Sequence, residues 1–329
     1  MLRLVVSNQT NPFLNIAVEN YLLSFPEKDC ITLYLWKNHR TVVIGQNQNP
    51  FAECRVDLLE SEGGYLMRRR TGGGAVYHDD GNINFSFIVP HSHYDLIRQF
   101  SVIQKAVESY GLTTQISGRN DLLCIDDEGN ARKFSGNAFN KNKYQHLHHG
   151  TILIKGNIED LQRYLMVKSA KLHKHGVDSV RSRVVNLNEL AEVTSENIVP
   201  RLISAFEEVY GEKVNEISFD ELIMLPGVQT LRQELESEEW RFGRWRQFRA
   251  QKSGVFPWGM VELSIDVDQT NGIIKTVDIA TDSLSTELSP KVTQLLQGAS
   301  IYQQPDIPTT FDKEIQSMIL DILSLIYEA

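Results

Sequence analysis

Three arginines running into three glycines, RRRTGGGAVYHDDGN (68–82), form the stretch of this chain best suited to chemistry. Glycines without side chains let backbone N–H groups approach and hold an anion. Arginines beside such a loop can grip a phosphate or carboxylate through two parallel donors. Alone, three glycines between strands are more often a tight turn with a basic edge. The strip is not a Walker loop, because no Lys-Ser/Thr pair follows the glycines. It is not a dinucleotide-binding fingerprint either, because the residues after it read as a strand and not as a helix.

Three further segments carry reactive side chains. KFSGNAF (133–139) sets Lys133 ahead of Ser135, Gly136 and Asn137. A lysine near phosphates is a compact positive charge, whereas a lone lysine is ordinarily a solvated surface residue. GRNDLL (118–123) supplies Asn120 and Asp121, which could hold Mg²⁺ with nucleotide phosphates or simply form a turn. In HLHHGTILI (146–154), His146 and His148 could share a strand face. No Cys or carboxylate completes a metal set at matching spacing, so a histidine at a pocket mouth is the expected meaning. Cys30, Cys54 and Cys124 lack paired spacing, which argues against a zinc site or a disulfide framework and for a reducing, cytoplasmic compartment.

Positioning these groups falls to alternating strands and helices. Strand composition marks 2–6, 31–37, 41–45 and 65–70, and 82–89 alternates with Ile83, Phe85, Phe87 and Val89 on one face. A helix is expected over 11–23, with Leu14, Ala17, Val18 and Tyr21 on one side and Pro12 near its start. Leu96, Phe100, Ile103, Val107 and Tyr110 mark a second helix, stopped by Gly111. Strands at 121–126 and 151–156 and helices at 159–165 and 198–210, the latter closed by Gly211, complete the first part. The segment 240–258 mixes Gly, Pro, Trp and basic residues and reads as a linker or strap. Beyond it come strands at 259–267 and 273–280, joined at Asn271-Gly272, then helices at 287–297 and 311–327.

The chain has 329 residues, enough for two domains or one large one, and 41% of them are apolar, enough for a sizeable core. Lys and Arg number 33 against 42 Asp and Glu, a net charge of −9. Such a chain is a poor general binder of nucleic acid or membrane surfaces, so neither partner is expected and any basic site must be local. The opening MLRLVVSNQT has no long apolar stretch of the signal-peptide kind, and no run approaches the roughly 18–20 apolar residues of a membrane span.

Taken in order, NPFLNIAVENYLL, IGQNQNPF, the Gly-rich strip, GRNDLL, KFSGNAF, HHGTILI and DSVRSRVVNL (178–187) resemble the lipoate–protein ligase family. The resemblance covers nearly the whole chain, including an FPWG-led second part. It implies an α+β fold: a mixed β-sheet catalytic domain backed by helices, as in biotin ligases and class II synthetases, over 1–245, and a small α+β accessory domain over 246–329. It also implies two steps, formation of lipoyl-AMP from lipoate and ATP with Mg²⁺, then transfer to a lysine of a lipoyl domain. The expected acceptors are 2-oxoacid dehydrogenase acyltransferase subunits and the glycine-cleavage carrier protein.

By the same resemblance Lys133 bridges the carboxylate and the α-phosphate. Arg69 neutralises one of these anions, with Arg68 and Arg70 on the opposite strand face. The backbone of Gly73, Gly74, Ala75, Val76 and Tyr77, together with Ala138, lines the adenylate, and Arg183 contacts it from the 180–185 loop. Asn120 and Asp121 serve phosphate or Mg²⁺. Trp36, Val76, His78, Ser135, Gly136 and His149 receive the lipoyl tail. The second domain is expected to reorient after adenylation. The nearest rival, an octanoyl or lipoyl transferase, needs a cysteine thioester, and no cysteine follows KFSGNAF. A catalytically silent module that binds lipoyl domains or nucleotides is the non-enzyme alternative.

Overall fold

The computed structural model describes residues 1–25, 27, 29–118, 120–166, 184–243, 250–267, 272–301 and 303–327. Its strands are β1 (Leu2–Val6), β2 (Ile31–Trp36), β3 (Thr41–Ile44), β4 (Tyr65–Arg68), β5 (Val76–His78), β6 (Asn82–Pro90), β7 (Thr113–Ser117), β8 (Asp121–Ile125), β9 (Ala131–Lys141), β10 (Gln145–Leu153), β11 (Val214–Ile217), β12 (Ala250–Phe256), β13 (Gly259–Val267) and β14 (Ile274–Thr281). The large sheet runs β11-β1-β2-β6-β10-β9-β8-β7, parallel across β11-β1-β2 and antiparallel from β2 onward. A small sheet, β4-β3-β5, carries the Gly-rich strip between β4 and β5.

Alternation explains how β6 sits at the centre. Ile83, Phe85, Phe87 and Val89 face one core, shared with Phe100, Ile103 and Val107 of helix Leu96–Glu108 and with Phe206 of helix Ser195–Tyr210. Each such aromatic or branched side chain contributes about 1.5–3 kcal/mol when fully buried. Thr194 and Asn197 cap the second of these helices reciprocally, and Gly211 ends it in the left-handed region at φ 72°.

Helix Pro12–Ser24 departs from the one-faced expectation, because nearly all its sides are buried between the sheet and helix Pro226–Glu236. Its polar residues are therefore bonded inward. Asn15, for instance, donates to the Lys37 carbonyl at 2.7 Å.

Two expectations need correcting. The segment 240–258 is not simply a strap. It contains the end of helix Glu238–Phe242 and then β12, which pairs along its length with β13. Two of its aromatics are core material: Phe256 stacks on Trp258 at 5.2 Å and both pack on the second hydrophobic core. The strand expected at 151–156 begins earlier, at Gln145, so that the histidines of HLHH belong to it. β12–β14 with helices Leu288–Leu296 and Lys313–Tyr327 form the small C-terminal α+β part around that second core. The β13–β14 hairpin is present, while residue 271 of its expected turn lies outside the described residues. Among the described residues no helix is long and apolar enough to cross a membrane.

Candidate active site

The three arginines of the strip go three ways. Arg68 is 4% exposed and donates to the carbonyls of Gly45, Gln46, Gln48, Trp240 and Arg241, tying the loop after β3 to helix Glu238–Phe242. Arg70 points outward, pairs with Glu234 at 2.7 Å and lies over Trp240. Arg69 turns back on its own loop. Its Nε donates to the Thr71 hydroxyl and Gly72 carbonyl, Nη1 to the Val43 carbonyl, and Nη2 to the carbonyls of Gly72 and Gly74, both at 2.8 Å. Burial lowers Arg69 to about 10, opposed by the Glu19 carboxylate, so it stays charged at neutral pH. This differs from a guanidinium held free to seize an anion: its donors are already spent on shaping the glycine turn.

The turn needs its glycines. Gly73 has φ 95°, and a Cβ there would lie 2.9 Å from the Arg69 guanidinium. A Cβ on Gly45 would strike the Gly73 carbonyl at 2.2 Å. From the C-terminal part, the Ser283 carbonyl accepts the Gly73 N–H at 3.0 Å, and Thr281 N–H donates to the Asn47 carbonyl at 3.0 Å.

Beside the turn lies a cavity of about 220 Å³. Ile16, Val43 and Val76 give it apolar walls, the Gly73–Ala75 backbone another, and Leu284 of the C-terminal part borders it. It gathers the expected residues Trp36, Arg69, Gly73, Gly74, Ala75, Val76, His78, Asn120, Lys133, Gly136, Ala138 and His149. A larger groove of about 810 Å³ adjoins it through Asn120 and Leu284 but is bordered by neither Lys133 nor the glycines.

A hydrogen-bonded belt runs beneath the cavity. Trp36 Nε1 donates to Ser86 Oγ at 3.0 Å, and Ser86 donates to Glu19 Oε1 at 2.5 Å. The same Glu19 oxygen lies 2.8 Å from His149 Nδ1, whose Nε2 is 2.9 Å from Thr71 Oγ1. Because Thr71 accepts from Arg69, its own hydroxyl proton is available to His149 Nε2, which places the ring proton on Nδ1 toward Glu19. Burial above all, then Arg69 and His149, lowers His78 to about 3, so it is neutral. Its buried Nε2 has no protein partner.

Lys133, on β9, stretches beside Gly136, where a Cβ would come within 3.0 Å of its Cε and Nζ. Its Nζ is 2.6 Å from Asp121 Oδ1, an ion pair whose angles are poor for a hydrogen bond. Asp121 therefore faces the lysine and does not border the cavity. The Tyr77 side chain turns away as well: its ring packs near Tyr164 and its hydroxyl reaches Asp160 at 3.4 Å. Ser135 is buried behind the wall, where its hydroxyl accepts from Asn137 at 3.4 Å. Arg183 and most of the 180–185 loop lie outside the described residues, but Val185 N–H donates to the Lys133 carbonyl at 2.9 Å.

Sequence reasoning missed Ile16, Val43, Asn84, Asn137, Gly150, Thr151 and Leu284 as cavity residues. Asn84 is buried with neither amide atom paired inside the protein, the condition of a group awaiting a ligand. Its signal was the second phase of the β6 alternation, where Asn82, Asn84 and Ser86 form a polar yet buried face.

All three cysteines are buried, and desolvation raises the thiols of Cys124 and Cys54, the latter to about 12. Thiols so placed are poor nucleophiles. Among the described residues no group of three or more His, Cys, Asp or Glu side chains could hold a metal ion.

Comparison with known proteins finds relatives over nearly the whole chain. Residues 11–207 match the family model described as lipoyl protein ligase A/B catalytic domain, and 246–321 match that of the bacterial lipoate protein ligase C-terminus. The chain is 37% identical over 320 residues to lipoate-protein ligase A of Psychrobacter cryohalolentis, spanning 95% of this chain and 92% of the relative. The crystal structure of P. falciparum LipL1 in complex with lipoate superposes with a TM-score of 0.78 at 28% identity, over 98% of this chain and 94% of that one. A lipoate-protein ligase A bound with ATP superposes with a TM-score of 0.60 at 26% identity, over 73% of this chain and 98% of the other.

Proposed function

Since the chain belongs to the lipoate–protein ligase family, we propose that it joins lipoate to a specific lysine of lipoyl domains through a lipoyl-AMP intermediate. A lipoate carboxylate oxygen attacks the α-phosphorus of ATP, forming a mixed anhydride as the bond to pyrophosphate breaks. The acceptor amine then attacks the acyl carbon, forming the amide and expelling AMP. One observation carries the reading: Lys133 and the Gly73–Ala75 backbone border the same narrow cavity as the apolar Ile16, Val43 and Val76. An apolar tail and an anionic head thus find matching walls in one place. Asn120, Ala138 and Arg183 remain proposed adenylate contacts, and Trp36, His78, Gly136 and His149 proposed contacts of the acyl tail.

Asp121 beside Lys133 fits a Mg²⁺ carried in with ATP, since that ion takes one or two carboxylates plus phosphate oxygens. Bound there, it would neutralise charge on the leaving pyrophosphate. We assign residues 1–245 to the catalytic part and 246–329 to the accessory part, on the ground that the latter has its own sheet and core.

The test is incubation with ATP, Mg²⁺, lipoate or octanoate, and a panel of apo lipoyl domains from 2-oxoacid dehydrogenases and the glycine-cleavage carrier, read by mass. One lipoyl group should be added only when ATP is present, with pyrophosphate released even without acceptor. ATP-independent acylation would point to a transferase, and absence of pyrophosphate to a binding module. The Cys124→Ala enzyme should keep the ATP-dependent reaction near the wild-type rate, because its thiol is buried in the core.

The C-terminal part bears on the same cycle. For a phosphate to take the Gly73 N–H, the Ser283 carbonyl must release it. Hydrogen exchange in the 281–286 segment should therefore speed up on adding ATP and lipoate together. Unchanged exchange there would rule out withdrawal of this segment.

A further inference from the structure

His148 lies behind the cavity wall on β10, fully buried and enclosed by Phe85, Phe87, Phe100 and Phe139, with ring centroids 4.9–5.7 Å away. Its Nδ1 is 2.8 Å from Gln99 Oε1 and its Nε2 is 2.8 Å from Asn137 Oδ1. Burial, assisted by His149, holds its pKa down at about 3, so the ring is neutral and carries one N–H.

The direction of every bond in this chain follows from one unambiguous acceptor. The Asn120 backbone carbonyl can only accept, and Asn137 Nδ2 lies 3.0 Å from it. Asn137 must therefore turn its Oδ1 toward His148. That oxygen can only accept, so the imidazole proton sits on Nε2. The Nδ1 atom is then an acceptor and requires a donor. Gln99 has an amide nitrogen that is otherwise buried without a partner, and a half-turn of its amide brings that nitrogen to His148 Nδ1. One orphaned donor and one ambiguous ring are resolved by the same rotation.

Asn137 passes this order forward. Its backbone N–H also donates to the Asn120 carbonyl at 2.9 Å, and Asn120 Nδ2 donates back to the Asn137 carbonyl at 3.2 Å. Gly150 leaves room for the amide, since a Cβ there would lie 2.5 Å from Asn137 Oδ1. Both asparagines border the cavity, and Asn120 is followed by Asp121, the partner of Lys133. We propose that His148, held in its Nε2–H form by Gln99, is a positioning residue for adenylation, orienting Asn137 and the Asn120–Asp121 turn against Lys133. The proposal rests on the ligase reading above.

The test compares wild type, His148→Phe and His148→Gln in lipoate-dependent pyrophosphate release, with melting curves for all three. Phe keeps a flat ring but no donor, while Gln restores a donor in the place of Nε2. His148→Phe should remain folded and lose about 10- to 100-fold in kcat, the scale of a displaced reacting geometry, with a smaller change in KM. His148→Gln should recover most of that loss. A folded His148→Phe enzyme with wild-type kcat overturns the proposal, as does a His148→Gln enzyme no better than the Phe variant. Should the Phe variant not fold, nitrogen NMR of wild-type His148 decides: the Nε2–H tautomer supports the proposal and the Nδ1–H tautomer ends it. A wild type that releases no pyrophosphate would instead sink the ligase reading, while the tautomer remains measurable.

Discussion

Lys133→Ala should lower the rate of lipoate-dependent pyrophosphate release by at least about 10²–10³-fold, the scale of losing one preorganised partner of transition-state charge. Two anions, a carboxylate and a phosphate, must meet for an adenylate to form. Of the strip's arginines, Arg68 and Arg69 are committed to backbone carbonyls and Arg70 to Glu234. Lys133 borders the cavity, which Arg70 does not, and pairs with Asp121, with both side chains about a third exposed, at 35% and 32%. An ion pair so exposed adds no more than about 0–1 kcal/mol to stability. Melting of Lys133→Ala should thus shift little while adenylation collapses. Lys133→Arg should not restore the rate, because a planar fork does not fill the place of a compact ammonium packed against Gly136. Full retention of pyrophosphate release by Lys133→Ala would remove the residue from the mechanism.

How far the site was legible depended on whether a residue's partners were side chains or backbone. Periodicity located β6 and helix Leu96–Glu108, because their apolar phases are uninterrupted. It failed on β9, where Ser135, Gly136 and Asn137 have the composition of a turn, yet pairing with β8 and β10 draws them into an eleven-residue strand. Resemblance supplied Lys133 and the glycines. It could not supply the orientation of Arg69, whose acceptors include the carbonyls of Val43, Gly72 and Gly74 that any residue would offer. Likewise Glu19 stands in a helix read for its apolar face, and only tertiary packing brings its carboxylate to His149, 130 positions away in sequence. Leu284 was invisible for a similar reason. It reaches the cavity because the end of β14 returns to the β3 loop through Thr281 and Asn47.

Arg69→Met separates the two meanings this arginine can have. If it shapes the loop, its removal strands the carbonyls of Gly72, Gly74 and Val43 and leaves the Glu19 carboxylate without its favourable field. Breaking a buried charged group away from its partners typically destabilises by about 3–5 kcal/mol. In a chain of this size that corresponds to a fall in Tm of about 10 °C. Activity should collapse with it, since the Gly73 turn would lose the conformation that presents its backbone to the cavity. Arg69→Lys should fare little better, because one ammonium cannot reach acceptors spread around a guanidinium fork. The opposite outcome is equally plain. An Arg69→Met protein that melts like wild type, yet binds ATP or lipoate poorly, would return the guanidinium to direct contact with substrate. The carbonyls it holds in this structure would then be no more than its resting partners.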